Sequence, residues 1–354
     1  LKIILNYKTC KENDMGQYSR MIQVVDTHTC GQPTRTVVSG VPRLYGSNMM
    51  EKMQYFKQKC EWIYSIMIFE PRGSSGSSLT SVAVITEPTD PTADIGAFYF
   101  EAHGYLPMCG HDTIGLCTML VELGFVEVKS PITKIVLETP AGIVNASVEV
   151  QDGRAVSVSF SNVPCFTYET DMVVEFEGKS ITFDISYGGN FYAIVPATAL
   201  GVEIKPSERR TLVSTAVRFM DAVNDKYNVV HPEDSSIAGV THVQVTDPLE
   251  RQPGFVYSKN CVVTQPDGFD RSPCGTGTSA RMALLYSKNL MDKDTVFQHR
   301  SIIDSVFEAR IIDEVNVSGY KGIIPRIKGS ANITGFATLI VDPHDKKGLG
   351  FKVE

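Results

Sequence analysis

The stretches "MCGHDTIGLCTML" (Met108 to Leu120) and "SPCGTGTSARMALL" (Ser272 to Leu285) put one opening on two apolar runs: a cysteine, a glycine, then a polar residue. Neither run has a polar face. In "HDTIGLCTMLVELG" the only charge after the first turn is Glu122, with Gly124 placed to cap the end. "GTGTSARMALLYSKN" offers Arg281 alone before Lys288. A helix apolar nearly all round must be buried on every side. The repeat therefore predicts a central helix wrapped by a curled sheet, once in each half of the chain.

The rest of the chain supplies the sheets. Short β-branched stretches bounded by glycine, proline and aspartate dominate, among them "RTVVSGVP", "SVAVITEP", "KIVLETPAG", "SITFDISYGG" and "NCVVTQPDG". Helices are predicted only near 48–64, 111–124, 206–225 and 276–290. Strands outnumber helices, so the fold class is α+β with mostly antiparallel pairing. "LETPAGIV" follows Cys109 and "FEARIIDEV" follows Cys274 at similar spacing, each read as a strand leaving one half for the other. Residues 1–20 read as an N-terminal extension. The first domain is placed at 21–138 plus 309–354, carrying Cys109, and the second at 139–308, carrying Cys274.

Composition narrows the function. The 354 residues exceed the usual size of one domain, and 43% hydrophobic with 21% charged residues is ordinary for a soluble globular protein. A net charge of -7 gives no electrostatic reason to expect nucleic acid or an anionic membrane as partner. The longest apolar runs are too short to span a bilayer, and the N-terminal stretch lacks a signal cleavage site. The eight cysteines form no CxxC or CxxH pair at metal spacing, so no metal is expected. Reduced thiols and a cytoplasmic address follow.

The paired helix starts carry the chemistry. Backbone N–H groups there lack partners and concentrate positive partial charge, which favours a thiolate on Cys109 and on Cys274 and should draw each thiol toward neutrality. Free N–H groups of Gly110 and His111, or of Gly275 and Thr276, form a cradle for a carboxylate. Two such starts facing one cleft suit inversion of a carbon next to a carboxylate, which takes a proton from one face and returns one to the other. His111 could donate to a substrate. Asp270 in "DRSPCG" could accept from its ammonium. "DTHTCGQPTR" is polar at a strand end, and the two glycines of "DISYGGNFYAIV" imply a close backbone approach.

These residues resemble the proline racemase family of racemases, 4-hydroxyproline 2-epimerases and 3-hydroxyproline dehydratases. The matching pieces include "DTHTCGQPTRTVVSGVP", "GYLPMCGHDTIG", "DISYGGNFYAIV" and "DRSPCGTGTSARMA", in family order from Met21 onward. The resemblance implies two pseudo-symmetric domains of the diaminopimelate-epimerase-like fold, no cofactor, a small-molecule substrate and a homodimer. It makes Cys109 and Cys274 the two acid/base groups, with Gly110, His111, Gly275 and Thr276 on the carboxylate and His111 and Asp270 on the ring nitrogen. The dehydratases carry threonine where this chain has Cys274, which disfavours dehydration. Ser81 and Thr264 fall where proline racemases place phenylalanines against the ring. Polar side chains there suit a hydroxylated ring, because a buried hydroxyl needs a partner. "GGNFYAIV" looks more like the racemases. The balance favours 4-hydroxyproline 2-epimerase over proline racemase proper. A non-catalytic amino-acid-binding protein and a thiol-based redox sensor are the competing readings.

Overall fold

The computed structural model describes residues 20–72, 81–102, 104–235 and 237–351. The expected N-terminal extension lies outside the described residues except for Arg20, which opens the first strand. Among the described residues nineteen strands join into one hydrogen-bonded network that carries six α-helices.

The same topology is built twice. Strands Arg20–Thr29 and Gln32–Ser39 form a hairpin, followed by helices α1 (Met49–Lys59) and α2 (Glu61–Ile68). Ser81–Thr86 then lies parallel to Gln32–Ser39, and Ile95–Glu101 returns antiparallel. After helix α3 (Gly110–Glu122), Ile132–Thr139 runs parallel to Ile95–Glu101. In the second half the hairpin is Lys179–Tyr187 with Phe191–Pro196, followed by α4 (Ala197–Leu200) and α5 (Arg209–Lys226). His242–Thr246 lies parallel to Phe191–Pro196, and Phe255–Thr264 returns antiparallel. After helix α6 (Gly275–Ser287), Val296–Arg300 runs parallel to Phe255–Thr264. The fold is α+β and mostly antiparallel, as expected. Each parallel pair is bridged by a helical crossover, the connection that parallel strands require.

Two helices differ from expectation. The predicted helix over 48–64 is broken at Cys60, whose N–H bonds the Phe56 carbonyl at 2.7 Å while its ψ of 19° turns the chain. α2 restarts at once and runs to Ile68. The first residues of the predicted 206–225 helix form a 3₁₀ turn, Pro206–Glu208, before α5 begins.

Helices α3 and α6 are the buried centres. Every residue of α3 from Gly110 to Val121 is buried. α3 ends in a Schellman turn: Gly124 takes φ +69° and the Phe125 N–H reaches the Leu120 carbonyl at 2.9 Å. α6 ends the same way, with Asn289 at φ +55° and the Leu290 N–H on the Leu285 carbonyl at 2.7 Å. Leu116 and Met119 of α3 share one core cluster with Met282 and Leu285 of α6. On the outer faces, α1 and α2 cover one half through Phe56 and Ile63, and α5 covers the other through Leu212 and Phe219.

The boundaries expected at 138/139 and 308/309 run through or beside paired strands. Ile132–Thr139 is hydrogen-bonded to Gly142–Gln151, and Val296–Arg300 to Val306–Val317. Gly142–Gln151 and Arg154–Ser161 pack on α3, whereas Val306–Val317 and Tyr320–Gly329 pack on α6. Ala331–Val341 alone returns along Arg20–Thr29. Among the described residues no helix is long and apolar enough to cross a membrane.

Candidate active site

Each helix start is pinned by its neighbours. Gly115 lets α3 lie against strand threonines: a Cβ there would come within 2.7 Å of Thr34 Oγ1 and 2.8 Å of Thr27 Oγ1. Thr29 Oγ1 donates to the His111 carbonyl at 2.7 Å, and Thr113 Oγ1 donates to the Cys109 carbonyl at 2.8 Å. Cys109 is the N-cap of α3 in extended backbone, φ -139° and ψ 125°. Cys274 is the N-cap of α6 at φ +65°, a left-handed conformation that costs a non-glycine residue about 1–3 kcal/mol. Contacts hold it there: its N–H donates to Ser272 Oγ at 3.3 Å, and its carbonyl accepts the Thr278 N–H at 2.8 Å.

The two helices meet start to start. A Cβ on Gly110 would sit 3.3 Å from the Gly275 Cα, and a Cβ on Gly275 would sit 3.3 Å from the Gly110 Cα. The glycine after each cysteine is thus what allows the two backbones to approach. Both cysteines line a single cavity of about 60 Å³, far below the several hundred Å³ of a drug-sized ligand site.

The structure brings together Cys109, Gly110, His111, Thr264, Asp270, Cys274, Gly275 and Thr276 around that cavity. Ser81 does not line it. It is 2% exposed, and its Oγ donates to Asp112 Oδ2 in the first turn of α3. Gln32, from the polar "DTHTCGQPTR" stretch, and Asn190, beside the paired glycines, do line the cavity. Gln32 Oε1 accepts the Arg271 N–H at 2.8 Å, tying the first half of the chain to the approach to α6. Glu101 and His242 are also in the wall and were not singled out from sequence. His242 stands opposite Thr264 in register on adjoining strands.

The thiols do not follow the expectation of depressed pKa values. Burial, then the charge of Asp112, pushes the Cys109 thiol well above its ordinary value, against the pull of the Asp112 backbone N–H. Burial, then Asp270, does the same to Cys274. Desolvation and facing carboxylates are what raise both thiols. Glu101 is pushed up to about 7 by burial, then by repulsion from Asp270, with His111 opposing. A site with this excess of acid groups is suited to a cation. Sulfur, ring-nitrogen and carboxylate atoms of Cys109, His111 and Asp112 lie within 4.8 Å of one another.

Glu101 yields a stability prediction. With its carboxyl raised to about 7, the folded chain holds a proton there that the unfolded chain releases near the ordinary carboxylate value. Its contribution to stability is lost as pH rises between those values. Glu101→Gln is expected to melt above the wild type at pH 8 and together with it at pH 4, read by calorimetry. An unchanged difference across that range would count against the ionisation.

The fold is α+β, with Cys109 and Cys274 each at the start of its own central helix and both on one cavity. The proline racemase family matches residues 24–352, and the chain belongs to that family. It is 41% identical over 333 residues to a 4-hydroxyproline 2-epimerase of Streptosporangium roseum, covering 94% of this chain and 98% of that one. It is 39% identical over 336 residues to a proline racemase of Clostridioides difficile, covering 95% and 99%. Among solved structures, a hydroxyproline epimerase from Agrobacterium vitis with bound trans-4-hydroxy-L-proline superposes with a TM-score of 0.85 at 32% identity, covering 96% of each chain.

Proposed function

We propose that this chain inverts the α-carbon of a ring amino acid, 4-hydroxyproline ahead of proline, by passing protons through Cys109 and Cys274 without a cofactor. The observation that carries the reading is that both cysteines border one small cavity, each at the start of its own helix.

In this reading the substrate carboxylate lies against the N–H groups of Gly110, His111, Gly275 and Thr276, all residues that line the cavity. The ring ammonium meets Asp270 and His111. One cysteine, as thiolate, takes the α-proton, and the electron pair of that bond spreads onto the carboxylate. The helix-start donors are already aimed at the charge that develops there. The other cysteine, as thiol, gives its proton to the opposite face. The ammonium neutralises Asp270, offsetting the charge that helps to raise the Cys274 thiol. Thr264 and His242 give the wall a pair of polar groups for a ring hydroxyl. The relative from Agrobacterium vitis with bound trans-4-hydroxy-L-proline supports that choice.

Proton NMR in deuterium oxide with L-proline, trans-4-hydroxy-L-proline and trans-3-hydroxy-L-proline tests the reading. The α-proton signal of trans-4-hydroxy-L-proline is expected to vanish fastest. Loss with L-proline first would make the chain a proline racemase proper, and loss with none would reject the reading for all three. Thr264→Val should lower kcat/KM for 4-hydroxyproline by roughly 10- to 100-fold, since it leaves a buried hydroxyl short of a partner. The same variant should leave proline turnover nearly unchanged.

A further inference from the structure

The surroundings of the two sulfurs differ in residues that the inversion itself does not require. Tyr192 is fully buried on the strand Phe191–Pro196, with its hydroxyl 2.6 Å from Thr276 Oγ1 and 3.5 Å from Cys274 Sγ. Thr276 Oγ1 is itself 3.6 Å from that sulfur. Two hydroxyls bonded to each other use one proton between them. Whichever donates, the other has its proton free, and the atom it can reach is Cys274 Sγ. The Gly277 N–H adds a further donor at 3.3 Å.

Around Cys109 a backbone N–H also pulls on the sulfur, that of Asp112, but the side chains of Asp112 and Glu101 bring carboxylates to it where Cys274 has two hydroxyls. Asp112 sits in the first turn of α3, 1% exposed, with an oxygen within 4.8 Å of the Cys109 sulfur. Ser81 spends its hydroxyl on Asp112 Oδ2, and Oδ1 is buried without a hydrogen-bond partner among the described residues. Glu101 lines the same side of the site. Both ring nitrogens of His111 lie 3.7 Å from Cys109 Sγ, but any charge on that ring faces Asp112 and Glu101 as well.

We infer that Tyr192 and Asp112 are positioning residues that rank the two thiols: Cys274 ionises first and Cys109 keeps its proton. The inference rests on the two-thiol reading above and adds a direction to it. In the first turnover the Cys274 thiolate takes the α-proton and becomes a thiol, while the Cys109 thiol gives its proton to the opposite face and becomes the thiolate. Protons and charge balance, and the enzyme is left in the mirror form suited to the other enantiomer. Asp270 works against this order, since its charge and burial push the Cys274 thiol up. Asp112 and Glu101 together oppose ionisation of Cys109, with burial the larger cause at both sulfurs.

Alkylation of the unliganded enzyme by iodoacetamide at graded pH, resolved by peptide mass spectrometry, tests the order. The two residues are almost equally covered, 7% exposed for Cys109 and 5% for Cys274, so burial alone does not separate their rates. Cys274 is expected to react at the lower pH. Tyr192→Phe should slow its labelling about tenfold or more, because a hydrogen bond to a charged group is lost, and leave Cys109 unchanged. Asp112→Asn should speed labelling of Cys109 and leave Cys274 alone, which keeps the test open if Tyr192→Phe does not fold. Ultraviolet thiolate absorbance of Cys109→Ser and Cys274→Ser, each against the double variant, gives the order without a reagent. Cys109 ionising first, or neither substitution moving either profile, overturns the inference. Labelling needs no turnover, so its failure leaves α-proton exchange to stand or fall separately.

Discussion

Cys274→Ser is expected to reduce inversion of the substrate by about 1,000-fold or more while leaving the melting temperature within a degree or two. A positioned acid/base group is worth roughly 100- to 10,000-fold, and a serine hydroxyl is far too weak an acid to replace a thiol in either role. The substitution is nearly isosteric. Serine can keep the N-cap contact to Gly277 and the neighbourhood of Tyr192 and Thr276, so little packing is lost. The informative measurement pairs chiral chromatography with deuterium uptake. The remaining thiol, Cys109, can still remove a proton from the face it addresses and return deuterium to that face. One enantiomer should therefore exchange its α-proton with retention while inversion is lost. Cys109→Ser should show the same split with the other enantiomer. Inversion at the wild-type rate in either variant would remove the two-thiol mechanism, and a binding protein would show neither process.

Much of this site is visible in the chain because its signals are local. α3 and α6 are apolar on all faces and begin Cys-Gly, and a helix of that kind has nowhere to go but the centre of a sheet. Gly124 marks the end of α3 by the positive φ it adopts. Cys109, Cys274 and the residues beside them in sequence were therefore legible together. What was not legible arrives from distant strands. Glu101 ends the apolar run "IGAFYFE" and reads as the edge of a strand, yet pairing with Gly104 turns the chain there and leaves Glu101 in the cavity wall. Tyr192 reads as one more aromatic in "FYAIVP", and nothing local says that its hydroxyl ends at a sulfur 82 residues away. Asp112 looks like an ordinary acid in the first turn of a helix, a position favoured by the dipole alone. Only the fold shows that it is buried beside Cys109 with Ser81 behind it. Counting from the cysteines carried Ser81 toward the substrate, whereas its hydroxyl is spent on Asp112 and it does not line the cavity.

Gly188→Ala is expected to be among the most damaging single methyl additions at the described glycines. A Cβ there would lie 2.2 Å from the Thr276 carbonyl oxygen and 2.6 Å from the Ala280 nitrogen, both backbone atoms of α6 that cannot rotate away. Gly188 cannot retreat easily. Its carbonyl accepts Asn162 Nδ2 at 3.0 Å, its N–H donates to the Asn190 carbonyl at 3.0 Å, and Asn162 Nδ2 also reaches Ser279 Oγ of the same helix at 2.8 Å. The strain must be taken up by moving the start of α6, at a cost of about 1–3 kcal/mol in stability for overpacking of this kind. Function should suffer more than stability. Cys274 and Thr276 ride on that turn, and a displacement of the order of 1 Å at a reacting group lowers a rate about 100-fold. Gly335→Ala provides the control, since nothing lies within 4 Å of its added Cβ and its backbone is not in the left-handed region. Denaturant unfolding and turnover of both variants decide the matter. A Gly188→Ala enzyme with wild-type turnover would mean that the position of the α6 start does not limit the reaction, and that the close seat of this helix on Gly188 serves stability alone.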